Sequence, residues 1–384
     1  MSELGDVLAA IESLSARGER LALATIVAVR GSTYRRPGAR LLVPEEGAPI
    51  GNLSGGCLEG DVADAARLVM REGTARLASW DLTADDDAVW GLGLGCNGAI
   101  EVFIEPADRA AEVAEALRLA LEAERPICLV TVVDSNTGDI PPGARLLVHP
   151  DGDVEGSLGR DDVDAAAVAA ARELFAAGRS EVRHLADVVR AFVEILEPPL
   201  RLLVCGAGHD AIPVVRAAAG VGWRAVVVDD RPELLTHERF PEAAGFAPVV
   251  EPGAIASAAR IDERTCAVVM THNFLRDKGY LRALLATPVA YIGMLGPSAR
   301  TRRILHELES EGVRPSERDL HRIHGPAGLD LGAEGPEEIA QAIVAEILAF
   351  RRGRGGGFLK LRPGPIHDRP RPGAEAGAPA RRSR

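Results

Sequence analysis

The chain has 384 residues, of which 47% are apolar and only 4% aromatic, and this suits two globular domains with cores of Ala, Val and Leu. The formal charge of −12 is uneven: from Arg351 to Arg384 ten Lys or Arg face two Asp or Glu, a net of +8, which leaves −20 on the rest and argues against nucleic acid as the main partner. Five cysteines without paired spacing argue against a disulfide framework and for a reducing cytoplasm, and an acid-bearing N-terminus with no long apolar run argues against a signal peptide and membrane insertion.

In chain order, residues 1–20 read as a helix, Leu21–Val29 and Ala39–Val43 as strands joined by a Gly-Pro turn, and Asp61–Glu72 as a helix. A Gly-rich loop from Trp90 to Gly98 precedes a strand at Ala99–Ile104, and a helix follows at Ala107–Ala123. The heptad Pro-Gly-Ala-Arg-Leu-Leu-Val occurs at Pro37–Val43 and again at Pro142–Val148, an offset of 105. Carried forward, this offset pairs Gly51 with Gly156, Leu53 with Leu158 and Gly73 with Gly178. Carried backward, it pairs Ile26-Val27-Ala28 with Thr131-Val132-Val133. Residues 21–80 and 126–185 are therefore expected to be two copies of one α/β unit. The copies differ at one loop: Ser54-Gly55-Gly56-Cys57 in the first stands against Gly159-Arg160-Asp161-Asp162 in the second. One copy reads as chemical and the other as scaffold.

Glu197-Pro198-Pro199 marks the domain boundary, giving an internally duplicated α/β domain over 1–198. Beyond it, a strand at Leu200–Cys205 runs into the G-x-G-x-x-A turn from Gly206 to Ala211, then a helix at Ile212–Ala219 and a strand at Trp223–Val228 ending in Asp229-Asp230. Further strands are expected at Ala267–Met270 and Val289–Ile292. This alternation predicts a Rossmann-like doubly wound parallel sheet over 199–350. The Gly-, Pro- and Arg-rich segment 351–384 reads as a disordered basic tail.

In that turn Gly206 permits the tight bend, Gly208 lets backbone approach a pyrophosphate, and the helix start offers N–H groups to an anion. Asp229 stands 23 residues on, where a carboxylate can bond a ribose diol. Asp210 makes an anion less welcome there. Cys128, Cys205 and Cys266 sit in apolar strands and read as small buried hydrophobes. Cys57 and Cys96 lie in Gly-rich loops, whose N–H groups favour a thiolate; Gly55 and Gly56 belong to the first. His272 follows a strand at the ligand-binding edge of the sheet and suits cofactor binding or proton transfer. Gly293 and Gly296 suit close approach to a ligand. No metal site is expected, because two cysteines make a poor zinc site.

The stretches GNLSGGCLEGDV, GLGLGCNGAIEVFIEP, VCGAGHDAIPVVRAAAGVGWRAVVVDDRPE, MTHNF and YIGMLGPSARTRR, with GPAGLDLGAEGPEEIAQAIVAEIL, resemble the XdhC/CoxI family over roughly residues 5–350. The resemblance implies an accessory protein that binds the molybdenum cofactor (molybdopterin), supports its sulfuration and inserts it into the apoenzyme of a molybdenum hydroxylase of the xanthine dehydrogenase or carbon monoxide dehydrogenase type. It places Cys57 and Cys96 on the family's Gly-Cys motifs, Gly206, Gly208 and His209 on its GxGH turn, Asp229 on its strand-end acid and His272 on its T-H motif. It implies a cytoplasmic homodimer, with a cysteine desulfurase as a further partner. NAD(P) or FAD in the Rossmann crevice stays open, as does the alternative of an oxidoreductase using His272 as acid or base. The chain has neither the Fe–S cysteine set nor the length of a molybdenum hydroxylase, although relatives carry that name by family transfer.

Overall fold

The computed structural model describes residues 3–31, 33–56, 58–81 and 98–362. The chain divides at Pro199 into two units. The first contains α1 (Glu3–Ala16), β1 (Leu21–Gly31), β2 (Arg40–Pro44), β3 (Ile50–Gly51), α2 (Glu59–Glu72), β4 (Arg76–Asp81) and β5 (Gly98–Pro106). The same order then recurs as α3 (Ala107–Ala123), β6 (Ile127–Ser135), β7 (Arg145–Val148), β8 (Val154–Gly156), α4 (Asp161–Ala177), β9 (Glu181–Leu185) and β10 (Val189–Leu196). Two antiparallel sheets result, ordered β3-β2-β1-β5-β4 and β8-β7-β6-β10-β9. In both copies the heptad is a turn at Pro-Gly-Ala followed by a strand at Arg-Leu-Leu-Val, so the duplication extends from the helix before each sheet to its last strand.

The offset of 105 holds from the heptad onward but not before it. Ile26 exchanges hydrogen bonds with Gly38 and Ala39, whereas Val132, not Thr131, does so with Gly143 and Ala144. The first strands therefore correspond at an offset of 106, because the β6–β7 connection is one residue shorter than the β1–β2 connection. A one-residue slip would turn every side chain to the wrong face. Ala22, Ala24 and Ile26 pack beneath Val62, Ala66 and Val69 of α2. Cys128, Val130 and Val132 pack beneath Val163, Ala167 and Leu174 of α4.

The intervening residues face the other way, where the copies share a core. Leu21, Leu23, Ile127 and Leu129 meet Ile11 of α1 and Val113 and Leu117 of α3. Val27, Phe103, Val133 and Phe192 form a second shared cluster. The first seven residues of β1 are thus all buried, where a strand with one wet face would alternate. The copies differ before their last strands: β9 and β10 are joined by the three residues 186–188, where Ala186 and Asp187 turn with φ of 47° and 56°, whereas β4 ends at Asp81 and β5 begins at Gly98.

The second unit contains β11 (Arg201–Cys205), α5 (Ala211–Gly220), β12 (Arg224–Asp229), β13 (Gly245–Pro248), α6 (Ile255–Ala258), β14 (Cys266–Val269), α7 (Phe274–Leu285), β15 (Tyr291–Met294), α8 (Ser298–Ser310), α9 (Glu317–His321), β16 (Ile323–His324) and α10 (Pro336–Arg351). Its six-stranded sheet is parallel throughout and ordered β13-β12-β11-β14-β15-β16, the doubly wound arrangement expected from the sequence. Apolar residues of α5 and α10 cover one face, and those of α6, α7 and α8 cover the other. Beyond α10, residues 352–362 carry one 3-10 turn, at Leu359–Leu361.

Candidate functional site

The order of the parallel sheet reverses between β11 and β14, and ligands of such sheets bind at the carboxyl edge there. At this edge Gly206 has φ of 124°, and a β-carbon on it would stand 2.6 Å from the carbonyl oxygen of Met270. Close contact with the end of β14 is what demands glycine. Ala207 N–H donates to Asp229 Oδ2 at 2.7 Å. The N–H groups of Gly208, His209 and Asp210, just before α5, have no partner among the described residues. His209 is exposed.

Asp229 ends β12 and is buried. Its Oδ1 accepts from the main-chain N–H of Arg231 at 3.0 Å and from Arg231 Nε at 2.9 Å, and its Oδ2 accepts from Arg231 Nη2 at 3.0 Å as well as from Ala207. Burial pushes this carboxyl up, but the Arg231 fork and the two N–H groups outweigh it and hold Asp229 far below the usual carboxylate range. Arg239 Nη2 donates to the carbonyl of Ala207 at 3.1 Å, fixing the turn from its other side.

His272 lies beyond β14 with φ of 59°, a left-handed conformation that few non-glycine residues adopt. Its Nε2 is 2.7 Å from Asp210 Oδ2. Asp277 braces this turn from beneath: its Oδ1 accepts from Thr271 N–H at 3.2 Å and Thr271 Oγ1 at 2.6 Å, while its Oδ2 accepts from Arg300 Nη2 at 2.6 Å. Asn273 caps α7 with its side chain. Gly296 turns the chain after β15 with φ of 105°. Gly293 instead lies inside β15, where a β-carbon would stand 3.0 Å from both Ala327 and the Tyr291 ring; packing accounts for it. The fold therefore gathers Gly206, Gly208, His209, Asp229, His272 and Gly296 along one sheet edge.

The first unit supplies a second arrangement. Residues 52–56 and Leu58 are arranged around the carboxylate of Glu59, at the start of α2. Glu59 Oε1 accepts from Leu53 N–H at 3.1 Å and Ser54 N–H at 2.8 Å. Its Oε2 accepts from Ser54 Oγ at 2.5 Å, Gly56 N–H at 2.9 Å and Leu58 N–H at 3.2 Å. Gly55 N–H goes to Asn52 Oδ1 at 3.0 Å. Gly55 and Gly56 take φ of 82° and 118°, which this winding requires. Partial burial pushes the Glu59 carboxyl up, but the donors prevail and bring it down to about 2. This corrects the expectation of free N–H groups for a thiolate: those of Leu53, Ser54, Gly56 and Leu58 are already given to a carboxylate. Cys57 and Cys96 lie outside the described residues. Cys128, Cys205 and Cys266 are buried free thiols.

Sequence reasoning did not single out Glu59, Arg231, Arg239, Asp277 or Arg300. Glu59 had a signal, an acid at a helix start just after a glycine turn. Arg231 had one too, as the cation two residues past the strand-end acid. Asp277 and Arg300 had none, because their contact spans 23 residues.

A parallel sheet with a glycine turn at its switch point, following a duplicated antiparallel unit, defines a two-unit protein of Rossmann type. Residues 202–347 match the XdhC Rossmann domain, and residues 14–81 and 120–186, one segment in each copy, match the XdhC and CoxI family. The chain belongs to that family. It is 31% identical over 351 residues to a protein of Bacillus subtilis (strain 168) described as a probable xanthine dehydrogenase subunit, covering 91% of this chain and 98% of that one. It is 24% identical over 344 residues to the "Molybdenum cofactor insertion chaperone PaoD" of Escherichia coli (strain K12), covering 89% and 86%. A crystal structure described as that of a xanthine dehydrogenase from Bacillus halodurans is similar at a TM-score of 0.73 and 30% identity, covering 93% of this chain and 98% of that one.

Proposed function

We propose that this protein binds the molybdenum cofactor as cargo, supports its sulfuration and inserts it into the apoenzyme of a molybdenum hydroxylase. The observation that carries this reading is the end-to-end similarity to an insertion chaperone, which takes in both units. The unequal copies support a location. The first surrounds Glu59 with five donors from Leu53, Ser54, Gly56 and Leu58, while the second has in sequence Asp162 at the position of Cys57 and a shorter acid, Asp164, bonded to Ser157 Oγ and Leu158 N–H. Cys57 and Cys96 are the soft donors suited to a molybdenum–sulfur centre, and the unpartnered N–H groups of Gly208–Asp210 suit the phosphate of a pterin or nucleotide. A cysteine desulfurase as sulfur donor, a homodimer and a cytoplasmic location belong to the same proposal. Among the described residues no helix is long and apolar enough to cross a membrane.

The protein purified from a host that makes molybdopterin should carry pterin and molybdenum in stoichiometric amount, and Cys57→Ser should lose them. The 2.7 Å contact of His272 with Asp210 favours a second reading, an NAD(P)- or FAD-dependent oxidoreductase with His272 as acid or base. Steady NAD reduction by the isolated protein, abolished by His272→Ala and indifferent to Cys57→Ser, would establish that reading and overturn the first.

A further inference from the structure

We infer that the nucleotide crevice of the second unit is occupied by the protein's own side chains, and that Asp210 and Arg231 set its ligand affinity because an adenine dinucleotide must displace both. The inference rests on reading that crevice as a nucleotide site.

The pyrophosphate end comes first. In a Rossmann turn the second glycine leaves room for the pyrophosphate. Here that room is taken: a β-carbon on Gly208 would stand 2.6 Å from Asp210 Oδ1. The carboxylate lies over the glycine, beside three N–H groups that would otherwise meet a phosphate. Asp210 does not cap α5 with its side chain, and its partner is the largely exposed His272. It therefore acts as an internal competitor for the anion more than as a part of the fold.

The ribose end is filled by the opposite charge. A carboxylate has about four lone-pair positions. All four on Asp229 are used, two of them by Nε and Nη2 of the Arg231 fork. A ribose diol finds no free acceptor until that guanidinium leaves. When it leaves, each Asp229 oxygen keeps one N–H and regains one lone pair, which is what two adjacent hydroxyls need. The Arg231 side chain is half exposed, so solvent receives it. Binding is thus an exchange at both ends, phosphate for carboxylate and diol for guanidinium.

The test is the equilibrium binding of NAD, by calorimetry, to the full chain and to Asp210→Asn, Arg231→Ala and the double variant. Asp210→Asn should tighten binding by roughly tenfold, because it removes a like charge from beside the pyrophosphate. Arg231→Ala should tighten it several-fold, and the double variant should exceed either. Thermal melts check each fold, and Arg231→Gln replaces Arg231→Ala if the latter melts low. If the native protein binds NAD and neither variant binds it more tightly, the self-occupied crevice is wrong while the nucleotide reading stands. If only one variant tightens, the role of the other residue falls. If none of the four proteins binds NAD, both readings fall.

Discussion

Arg40 and Glu194 form an ion pair, Nη2 to Oε2 at 2.5 Å, with side chains only 2% and 6% exposed. The same pair recurs with the copies exchanged, between Arg145 and Glu105. Each arginine is the one in its own PGARLLV heptad, and each glutamate lies on the last strand of the other copy. Thr25 and Thr131, Phe103 and Phe192, and the two glutamates line a cavity of about 10 Å³ between the copies. The repeated heptad is thus a reciprocal clamp that holds the duplicated unit together across an approximate two-fold.

The clamp predicts non-additive stability. Arg40→Met or Glu194→Leu alone should cost about 3–5 kcal/mol, since each leaves an uncompensated buried charge. The double variant should cost much less than the sum of the two. Chemical denaturation of all three proteins measures this, and additive losses would show that the pair is not coupled.

Glu59 predicts a pH-dependent loop. Its folded-state pKa, about 2, is below the ordinary glutamate value, so its stabilising contribution is present above roughly pH 4.3 and is lost as pH falls toward 2. Glu59→Gln should cost about 1–3 kcal/mol, the scale of a hydrogen bond to a charged group. The protection of the Ser54, Gly56 and Leu58 amides against hydrogen exchange, relative to an unstructured peptide at the same pH, should fall in this variant and fall in the native protein over the same acid range. Unchanged protection at these amides would mean that Glu59 does not hold the loop.

The two glycines of the Rossmann turn should differ. Gly206→Ala puts a methyl group against the main chain at Met270 in a left-handed conformation, and should cost about 1–3 kcal/mol or more. Gly208→Ala meets chiefly the movable Asp210 carboxylate, so melting should change little while NAD binding weakens. Equal melting temperatures for the two variants would contradict this division.

The thiols should separate by reactivity. Burial pushes Cys128 and Cys266 up to about 12, and Cys205 higher still, so none of the three is a thiolate near neutral pH. Native-state alkylation at pH 8 should label Cys57 and Cys96 first, as read by mass spectrometry. Faster labelling of any strand cysteine would remove the distinction on which the proposed cargo site depends.

If the proposed function holds, Cys57→Ser should leave melting unchanged, because a thiol flanked in sequence by glycines contributes little packing, yet lower in cells the activity of the proposed partner hydroxylase. Assay of that enzyme for molybdenum and activity, with and without the variant, checks both halves.

The sequence by itself determined the features that depend on near neighbours. The heptad announced the duplication, because seven identical residues are a local pattern. The glycine turn with strand, helix and Asp229 in order announced the parallel sheet, because each part is fixed by its own periodicity and turn chemistry. What partners these residues take was decided only by tertiary structure. The 106-residue correspondence of the first strands depends on which face meets α2 or α4, not on identity along the chain. Arg40 reaches a glutamate 154 positions away, and the buried Asp277 reaches an arginine 23 away. Such partners are set by where the folded chain brings charges out of water, where a buried carboxylate must find donors. For the same reason the N–H donors that the sequence offered to a thiolate were already taken by Glu59 in one unit, and the acceptors that Asp229 offered to a ribose were already taken by Arg231 and Ala207 in the other.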